Sequence, residues 1–145
     1  MHYTFQKSLG RITQQVSKGL GRVLEKKFKD AGYSINSAQW TAISFLTQKG
    51  ELSQSDISKF MGVNKVMVKR ILDQLEESGI AKRAKARNDK RFNKIILTRK
   101  GHSLYKELTP YAEKTLEEAY SGFDPNEIEH CIHTLSKIAD RLEKL

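Results

Sequence analysis

Apolar residues in the first third of the chain recur at helical spacing. A stripe of them along one side of residues 4–29 predicts a single long helix, which the segment from Asp30 to Gly32 ends. The stripe consists of Phe5, Leu9, Ile12, Val16, Leu20, Val23, Leu24 and Phe28. A second helix is predicted to begin with Ser37 as its cap and to end near Gly50. Its candidate core residues are Trp40, Ile43, Phe45 and Leu46.

Two shorter helical patterns, separated by a turn, occupy the middle of the chain. Ser53 followed three residues later by Asp56 is a capping signature, and Gly62 suits the left-handed conformation in which helices commonly end. Asn64 is a good cap for the next helix, which ends at Gly79. The apolar faces are Ile57, Phe60 and Met61 on the first helix, and Val68, Ile71, Leu72 and Leu75 on the second. This is a helix-turn-helix pattern.

The remaining side of that second helix is polar and basic. Its positions are Lys65, Val66, Met67, Lys69, Arg70, Asp73 and Gln74. Positive charge collects near the N-terminal half, which is the part of a recognition helix that contacts base edges in the DNA major groove. We therefore predict that the residues in direct contact with DNA are Asn64, Lys65, Met67, Lys69 and Arg70.

A basic hairpin is predicted directly after the helix-turn-helix. Residues 80–85 and 95–98 have the composition of two paired strands, and residues 87–90 form a turn between them. From Lys82 to Lys100 there are nine basic residues and one acid, Asp89. A helix-turn-helix followed by such a hairpin is a winged helix. We therefore expect an all-α fold with a small β-hairpin wing.

The hairpin sequence GIAKRAKARNDKRFNKIILTRKG resembles the wing of the MarR family of bacterial transcriptional regulators. In that family a Gly-Leu-Ile start, an Asp-x-Arg tip and a Leu-Thr-x-x-Gly exit recur at this spacing. The counterparts here are Gly79-Ile80, Asp89-Lys90-Arg91 and Leu97-Thr98-Arg99-Lys100-Gly101. The resemblance extends back through LSQSDISKFMGVNKVMVKRILDQLEESG and INSAQWTAISFL. Val66 stands where proline is frequent, and Met67 and Lys69 stand where threonines are frequent, so the operator sequence does not follow from the resemblance.

The resemblance also implies a role for the tip of the wing. It implies that Asp89 holds Arg91 by a charge-assisted hydrogen bond, so that the guanidinium points into the DNA minor groove. The alternative is that Asp89 is simply a common residue of hairpin turns. The predicted DNA-contacting residues of the wing are Lys85, Arg87, Asp89, Lys90 and Arg91.

Two further helices are predicted at the end of the chain. Gly101 leads into a helix over residues 102–120, which Pro110 is expected to bend, and Asp124 caps a last helix with Pro125 at its first position. The last helix carries an apolar stripe that one small winged-helix domain does not cover, which indicates an intermolecular partner. The family resemblance implies a homodimer joined by residues 1–32 and 102–145. Residues 37–100 would then be the DNA-binding lobe of a single 145-residue unit.

Composition supports a nucleic-acid partner. The net charge is +9, and residues 63–100 alone carry twelve basic and four acidic residues, a net of +8. A surface this one-sided indicates contact with a polyanion. No apolar run approaches the roughly 18 residues of a membrane span, and no N-terminal signal segment is apparent. We expect a soluble, cytoplasmic protein with no membrane partner.

Catalytic and metal-binding patterns are weak. His130 and His133 lie one helical turn apart beside Cys131, but zinc normally needs three or four ligands. Cys131 lies along the apolar stripe of the last helix, with the acids Glu127 and Glu129 nearby. This setting does not favour thiol reactivity. The sequence contains no recognisable phosphate loop, catalytic triad or carboxylate pair. We expect no cofactor, no metal site and no enzymatic activity.

A small-molecule site is suggested by the resemblance, because members of the family often bind phenolic or lipophilic effectors. The candidate pocket residues are Trp40, Phe45, Phe28 and Tyr33, and each could equally be a core residue. The interpretation is a homodimeric regulator, acting as a repressor, that binds a pseudo-palindromic operator in double-stranded DNA and is released by an effector. The alternatives are a sequence-neutral architectural DNA binder and a winged-helix module for protein interaction.

Overall fold

The chain is mostly helical with one small antiparallel sheet, which confirms the predicted fold class. The computed structural model describes the backbone of residues 1–86 and 89–145 and the side chains of residues 1–84 and 94–145. A 3₁₀ turn over Phe5–Lys7 precedes the first α-helix. The elements that follow are α1 Leu9–Asp30, α2 Ser37–Lys49, β1 Glu51–Ser53, α3 Gln54–Met61, α4 Lys65–Glu77, β2 Ala81–Ala86, β3 Asp89–Leu97, α5 Arg99–Ala119 and α6 Pro125–Glu143.

The first helix is shorter than its apolar stripe. The prediction of one helix over residues 4–29 is wrong at the N-terminal end, because Ser8 interrupts it. The Ser8 hydroxyl donates to the Phe5 carbonyl at 2.9 Å and accepts from the Arg11 amide at 3.3 Å. A serine that bonds its own neighbouring backbone in this way offers the chain an alternative to helix and starts a new one.

The cap of α2 is Asn36, so the prediction of Ser37 as the cap is wrong by one residue. Asn36 Oδ1 accepts from the Gln39 amide at 2.8 Å, and Gln39 Oε1 accepts from the Asn36 amide at 3.0 Å. This reciprocal capping box satisfies two free helix donors at once. The Ser37 amide instead donates to Glu25 Oε1 at 2.7 Å, which joins α2 to α1.

The helix-turn-helix of α3 and α4 forms as predicted. Ser53 and Asp56 make a capping box, and Gly62 adopts the left-handed conformation with φ of 65°. Asn64 caps α4, whose predicted apolar face is buried along its whole length. These two helices pack with α2 and the sheet around the larger core of the molecule, which includes Ile43, Leu46, Ile57, Leu72 and Ile95.

The sheet has three strands in the order β1-β3-β2 rather than the two of the predicted hairpin. Leu52 of β1 pairs with Ile95 of β3, and the three-residue strand β1 is too short to show alternation in the sequence. The predicted turn over residues 87–90 is wrong at Asp89 and Lys90, which begin β3. A shift in register between Lys85 and Ala86 lets strand pairing continue to the Ala86–Asp89 pair. Arg87 and Asn88 lie outside the described residues.

The start of α5 also differs from the prediction. The helix begins at Arg99 with Thr98 as its cap, so Gly101 lies inside the first turn and does not precede the helix. Thr98 Oγ1 accepts from the Gly101 amide at 3.1 Å, and this bond sets the earlier start. Pro110 lies inside α5, and Asp124 caps α6 with Pro125 at its first position, both as predicted.

Helix α6 buries none of its residues within the chain. Ile132 and Leu142 on α6 are 51% and 63% exposed, and Val16 on α1 is 54% exposed. Helix α1 is attached to α5 by a small second core of Leu24, Phe28 and Leu108. Large apolar side chains on both helices therefore lie at the surface of the single chain. Within the described residues, every helix is too short or too polar to span a membrane.

Candidate nucleic-acid interface

Helix α4 presents an exposed face in which cations and apolar side chains alternate. Lys65, Lys69 and Arg70 are exposed, as the sequence predicted. Val66 and Met67 are 75% and 48% exposed on the same face. Basic groups suit phosphates and guanine edges, and exposed apolar side chains suit thymine methyl groups. The face thus combines the two kinds of contact that major-groove recognition uses.

The start of this face is fixed by Asn64. Its side-chain Oδ1 accepts from the Met67 amide at 2.8 Å, which caps the helix. The residue predicted as a DNA contact therefore also has a structural function. The free amides of the first turn and the helix dipole favour an anion near this end.

A pair of acids on α4 holds the wing. Arg83 on β2 is 24% exposed, and its guanidinium contacts Asp73 Oδ1 at 2.9 Å and Glu76 Oε2 at 2.5 Å. We call Asp73, Glu76 and Arg83 the helix–wing latch. Two carboxylates on one planar guanidinium fix direction as well as distance. The latch therefore sets the angle between the recognition helix and the base of the wing.

Lys69 is linked to the same latch. Its ammonium lies 2.9 Å from Asp73 Oδ2, so each oxygen of Asp73 contacts a different cation. The hydrogen bond from Lys69, followed by that from Arg83, holds the pKa of Asp73 below its ordinary value. Asp73 is therefore ionised at neutral pH. The sequence predicted that Lys69 lies on the exposed face of α4, but it did not predict the ion pair between Lys69 and Asp73.

Other basic residues of the wing region are engaged inside the chain. Lys94 contacts Glu51 at 3.1 Å, and the Lys100 ammonium donates to the Ser78 carbonyl at 2.7 Å. With Arg83, at least three of the basic residues whose side chains the structure describes in this region thus have intramolecular partners. The side chains of Lys85, Arg87, Asp89, Lys90 and Arg91 lie outside the described residues, so the predicted contacts at the wing tip stay predictions.

The root of the wing is closed by Thr98 and Gly101. The Thr98 hydroxyl donates to the Gly79 carbonyl at 2.5 Å, while the Thr98 amide donates to the Ile80 carbonyl at 3.0 Å. Gly101 packs directly against the backbone of Ile80, just before β2, since a Cβ at position 101 would lie 2.2 Å from the Ile80 carbonyl oxygen. The Leu-Thr-x-x-Gly segment thus joins β3, α5 and the end of α4 at one point.

The four candidate effector residues do not form one pocket. Phe28 is fully buried and contacts Trp40 and Tyr111 edge-on, at ring distances of 5.6 Å and 6.1 Å. Tyr33 contacts Tyr111 at 6.2 Å in the same cluster. Phe45 lies elsewhere and stacks on Phe60 at 5.2 Å.

Two open apolar grooves lie along α1, and one of them borders the aromatic cluster at Trp40. One, of about 710 Å³, runs between α1, α2, α5 and α6, and Trp40 is the member of the four candidates that lines it. The other, of about 610 Å³, lies between α1, the end of α5 and α6. Cys131 is exposed on α6 and lines both grooves. His130 and His133 are exposed on α6, and the described residues contain no group of three or more potential metal ligands.

Comparison with known proteins agrees with this architecture. Residues 35–92 match the model of the MarR family. The regulator BpsR of Bordetella bronchiseptica, whose DNA binding is regulated by 6-hydroxynicotinic acid, is 21% identical, with 97% of this chain and 99% of that chain covered and a TM-score of 0.82. A cysteine-to-serine mutant of E. coli MarR in complex with operator DNA is 21% identical, covering 90% and 92% of the two chains at a TM-score of 0.79. A MarR-family regulator from Rhodococcus sp. RHA1 is 17% identical, covering 95% and 96%, at 0.84.

The helix-turn-helix and the antiparallel sheet that follows it define the fold as a winged helix. The match over residues 35–92 agrees with the resemblance seen in the sequence, so this part of the chain is similar to the MarR family.

Proposed function

We propose that the chain is a sequence-specific transcriptional repressor that binds a pseudo-palindromic operator in double-stranded DNA as a homodimer. The observation that carries this proposal is the exposed face of α4, whose cations and apolar side chains are held at a fixed angle to the wing by the Asp73 and Glu76 bonds to Arg83. Val66 is exposed beside Lys65 and Arg70, where it could contact a thymine methyl group while the cations contact phosphates or guanine.

Dimerisation is supported by the apolar surface at the two ends of the chain. Residues 1–32 and 102–145 would form the dimer helices, and residues 37–100 would form the DNA-binding lobe. The exposed apolar side chains of α1 and α6 form the sides of the two grooves, and a second copy of the chain would cover them. A two-fold dimer presents two identical recognition helices, and this symmetry is why the proposed operator is a pseudo-palindrome.

Release by an effector would act on the distance between those helices. Two recognition helices must lie about 34–36 Å apart to enter successive major grooves. The lobe is joined to the dimer helices by the Ser37–Glu25 bond and by the Trp40–Tyr105 stack at 5.3 Å. A small lipophilic or phenolic molecule seated beside Trp40 would favour dimers with a different spacing and so lower operator affinity.

The experiment that tests this function is a selection from random duplexes with the full chain. An enriched inverted repeat with half-sites about 10 base pairs apart is the expected result. Two other outcomes correspond to the alternatives. DNA binding without any enriched sequence would indicate an architectural protein, and no DNA binding at physiological salt would indicate a protein-interaction module.

Arg70 is expected to read a base directly. It lies on the exposed face of α4 near the N-terminal half, and replacing it by alanine should cost about 1–3 kcal/mol of operator binding if the guanidinium grips a guanine. Arg141→Ala is the matched control, because Arg141 is exposed near the end of α6. Fluorescence anisotropy with the selected duplex measures both. Unchanged affinity and base preference in Arg70→Ala would mean that Arg70 is not a recognition residue.

The two interpretations of Asp89 at the wing tip predict opposite effects of Asp89→Ala on operator affinity. If Asp89 directs Arg91 into the minor groove, then Asp89→Ala and Arg91→Ala should both weaken operator binding. If Asp89 is only a turn residue, its removal makes the wing more positive and should tighten binding instead. Affinities of both variants across a salt series separate the two accounts, and tighter binding by Asp89→Ala would show that the wing acts as a simple charged patch.

A further inference from the structure

We propose that Asp73 is a specificity-determining residue that directs Lys69 toward base edges and away from the phosphate backbone. This inference rests on the proposed DNA-binding function and concerns how the recognition helix discriminates between sequences. The DNA face of α4 is basic at Lys65, Lys69 and Arg70, yet Asp73 lies one turn beyond Lys69 with its side chain 44% exposed. A carboxylate at this position repels DNA phosphates, so its presence on a DNA-binding face requires an explanation.

The structure shows that Asp73 is fixed by the wing. Its Oδ1 accepts from Arg83 at 2.9 Å, and Arg83 is anchored a second time by Glu76. Arg83 is the most covered member of the group, at 24% exposure of its side chain. The carboxylate is therefore held in one orientation by a group outside its own helix. Its second oxygen, Oδ2, is left facing Lys69 at 2.9 Å.

A lysine held in this way keeps donors for DNA. An ammonium group has three N–H donors, so Lys69 can donate to Asp73 and to a guanine O6 or N7 at the same time. A lysine on a free four-carbon stem would instead reach any nearby phosphate, which adds affinity for every sequence equally. The tether therefore converts a non-specific cation into a directed one.

Helix stability does not explain the pair. A surface ion pair contributes little, and a lysine placed four residues before an acid is the less favourable order with respect to the helix dipole. Glu76, by contrast, contacts Arg83 and is not among the partners of Lys69 in the described structure. The two acids of the latch carry the same charge and share one arginine, but only Asp73 contacts the recognition-helix lysine, and this difference supplies a matched control.

The test compares Asp73→Asn with Glu76→Gln on two probes. These are the tightest duplex recovered by selection and a random-sequence duplex of equal length. Freeing Lys69 to meet one more phosphate should steepen the salt dependence on random DNA by about one unit and raise that affinity roughly fivefold near 0.15 M salt. Binding of the selected duplex should not tighten, so the specificity ratio falls roughly fivefold. Glu76→Gln loosens the helix–wing latch but leaves the Lys69 tether intact, so it should change both affinities by about the same factor and keep the specificity ratio.

A double variant identifies the cation that is freed. In Lys69→Met, the further change Asp73→Asn should no longer raise the affinity for random DNA, because the gain in the wild-type background comes from Lys69. Repeating the selection with Asp73→Asn should also show lost preference at one base pair in each half-site, a result that a purely structural role of Asp73 would not produce. Thermal unfolding of each variant checks that the fold is retained.

The outcomes separate this inference from the function on which it rests. A wild-type protein that shows no preference for any duplex overturns both. A wild-type protein with clear preference, together with Asp73→Asn and Glu76→Gln variants that change both affinities equally, overturns the role of Asp73 alone. In that case the acids act only through net charge.

Discussion

Removal of residues 124–145 is expected to produce a folded monomer that no longer binds its operator tightly. Helix α6 buries no residue within its own chain, so its loss leaves both cores of the chain intact. Its exposed apolar side chains are not covered when a single chain folds, but they would be covered in a dimer. Two half-sites bound by separate chains lose their effective concentration, which is worth about 100-fold or more in operator affinity. Sedimentation and anisotropy measure the two effects.

A point variant makes the same test with a matched control. Ile132→Asp places a charge at an apolar position of α6 that is half exposed in the single chain, whereas Thr134→Asp places the same charge on the opposite side of the same helix, where Thr134 is exposed. The first should dissociate the dimer and the second should not, because only the first buries a charge in the proposed interface. A truncated or Ile132→Asp protein that binds the full operator with undiminished affinity would show that the end helices are not the dimer contact.

Gly101→Ala is expected to destabilise the whole fold, against the usual effect of alanine in a helix. The new Cβ would lie 2.2 Å from the Ile80 carbonyl oxygen and 3.1 Å from a Leu97 methyl group. The backbone at Ile80 and helix α5 must then move apart at the root of the wing, which lowers the free energy of unfolding by about 1–3 kcal/mol. Urea unfolding measures the change.

Gly10→Ala is expected to change the free energy of unfolding in the opposite direction. Gly10 also lies in a helix, α1, but an added Cβ there meets nothing within 4 Å. Alanine should therefore stabilise α1 by up to about 1 kcal/mol through helix propensity alone. A Gly101→Ala protein as stable as wild type would contradict this expectation. It would mean that α5 and the backbone at Ile80 are not in close contact, and that Gly101 has no steric role.

The sequence predicted features that depend on a few neighbouring residues. Capping by Ser53, Asn64 and Asp124 and the buried face of α4 were correct because a cap or a helical stripe is a local property. Errors of one to five residues arose where two local signals competed. Asn36 with Gln39 won over Ser37, and Ser8 ended the stripe that otherwise continued to Phe5.

Features that depend on distant contacts could not be predicted in this way. Strand β1 has three residues and exists because Leu52 finds Ile95 across the sheet. The pairing of Arg83 with Asp73 and Glu76 joins a strand to a helix, so in the sequence Arg83 looked like one more cation of the wing. Likewise, Gly101 appeared to precede α5, although its significance is the close approach of Ile80. The sequence thus indicated which side of α4 is exposed, but not the ion pairs that its residues make.

We propose that this chain binds one operator sequence as a dimer. The most direct test is a titration of the full chain, at physiological salt, against the selected duplex and a random duplex of the same length. The account predicts two chains per selected duplex and an affinity at least about 1,000-fold above that for random DNA. Equal affinity for the two duplexes, or one chain per duplex at saturation, would contradict it.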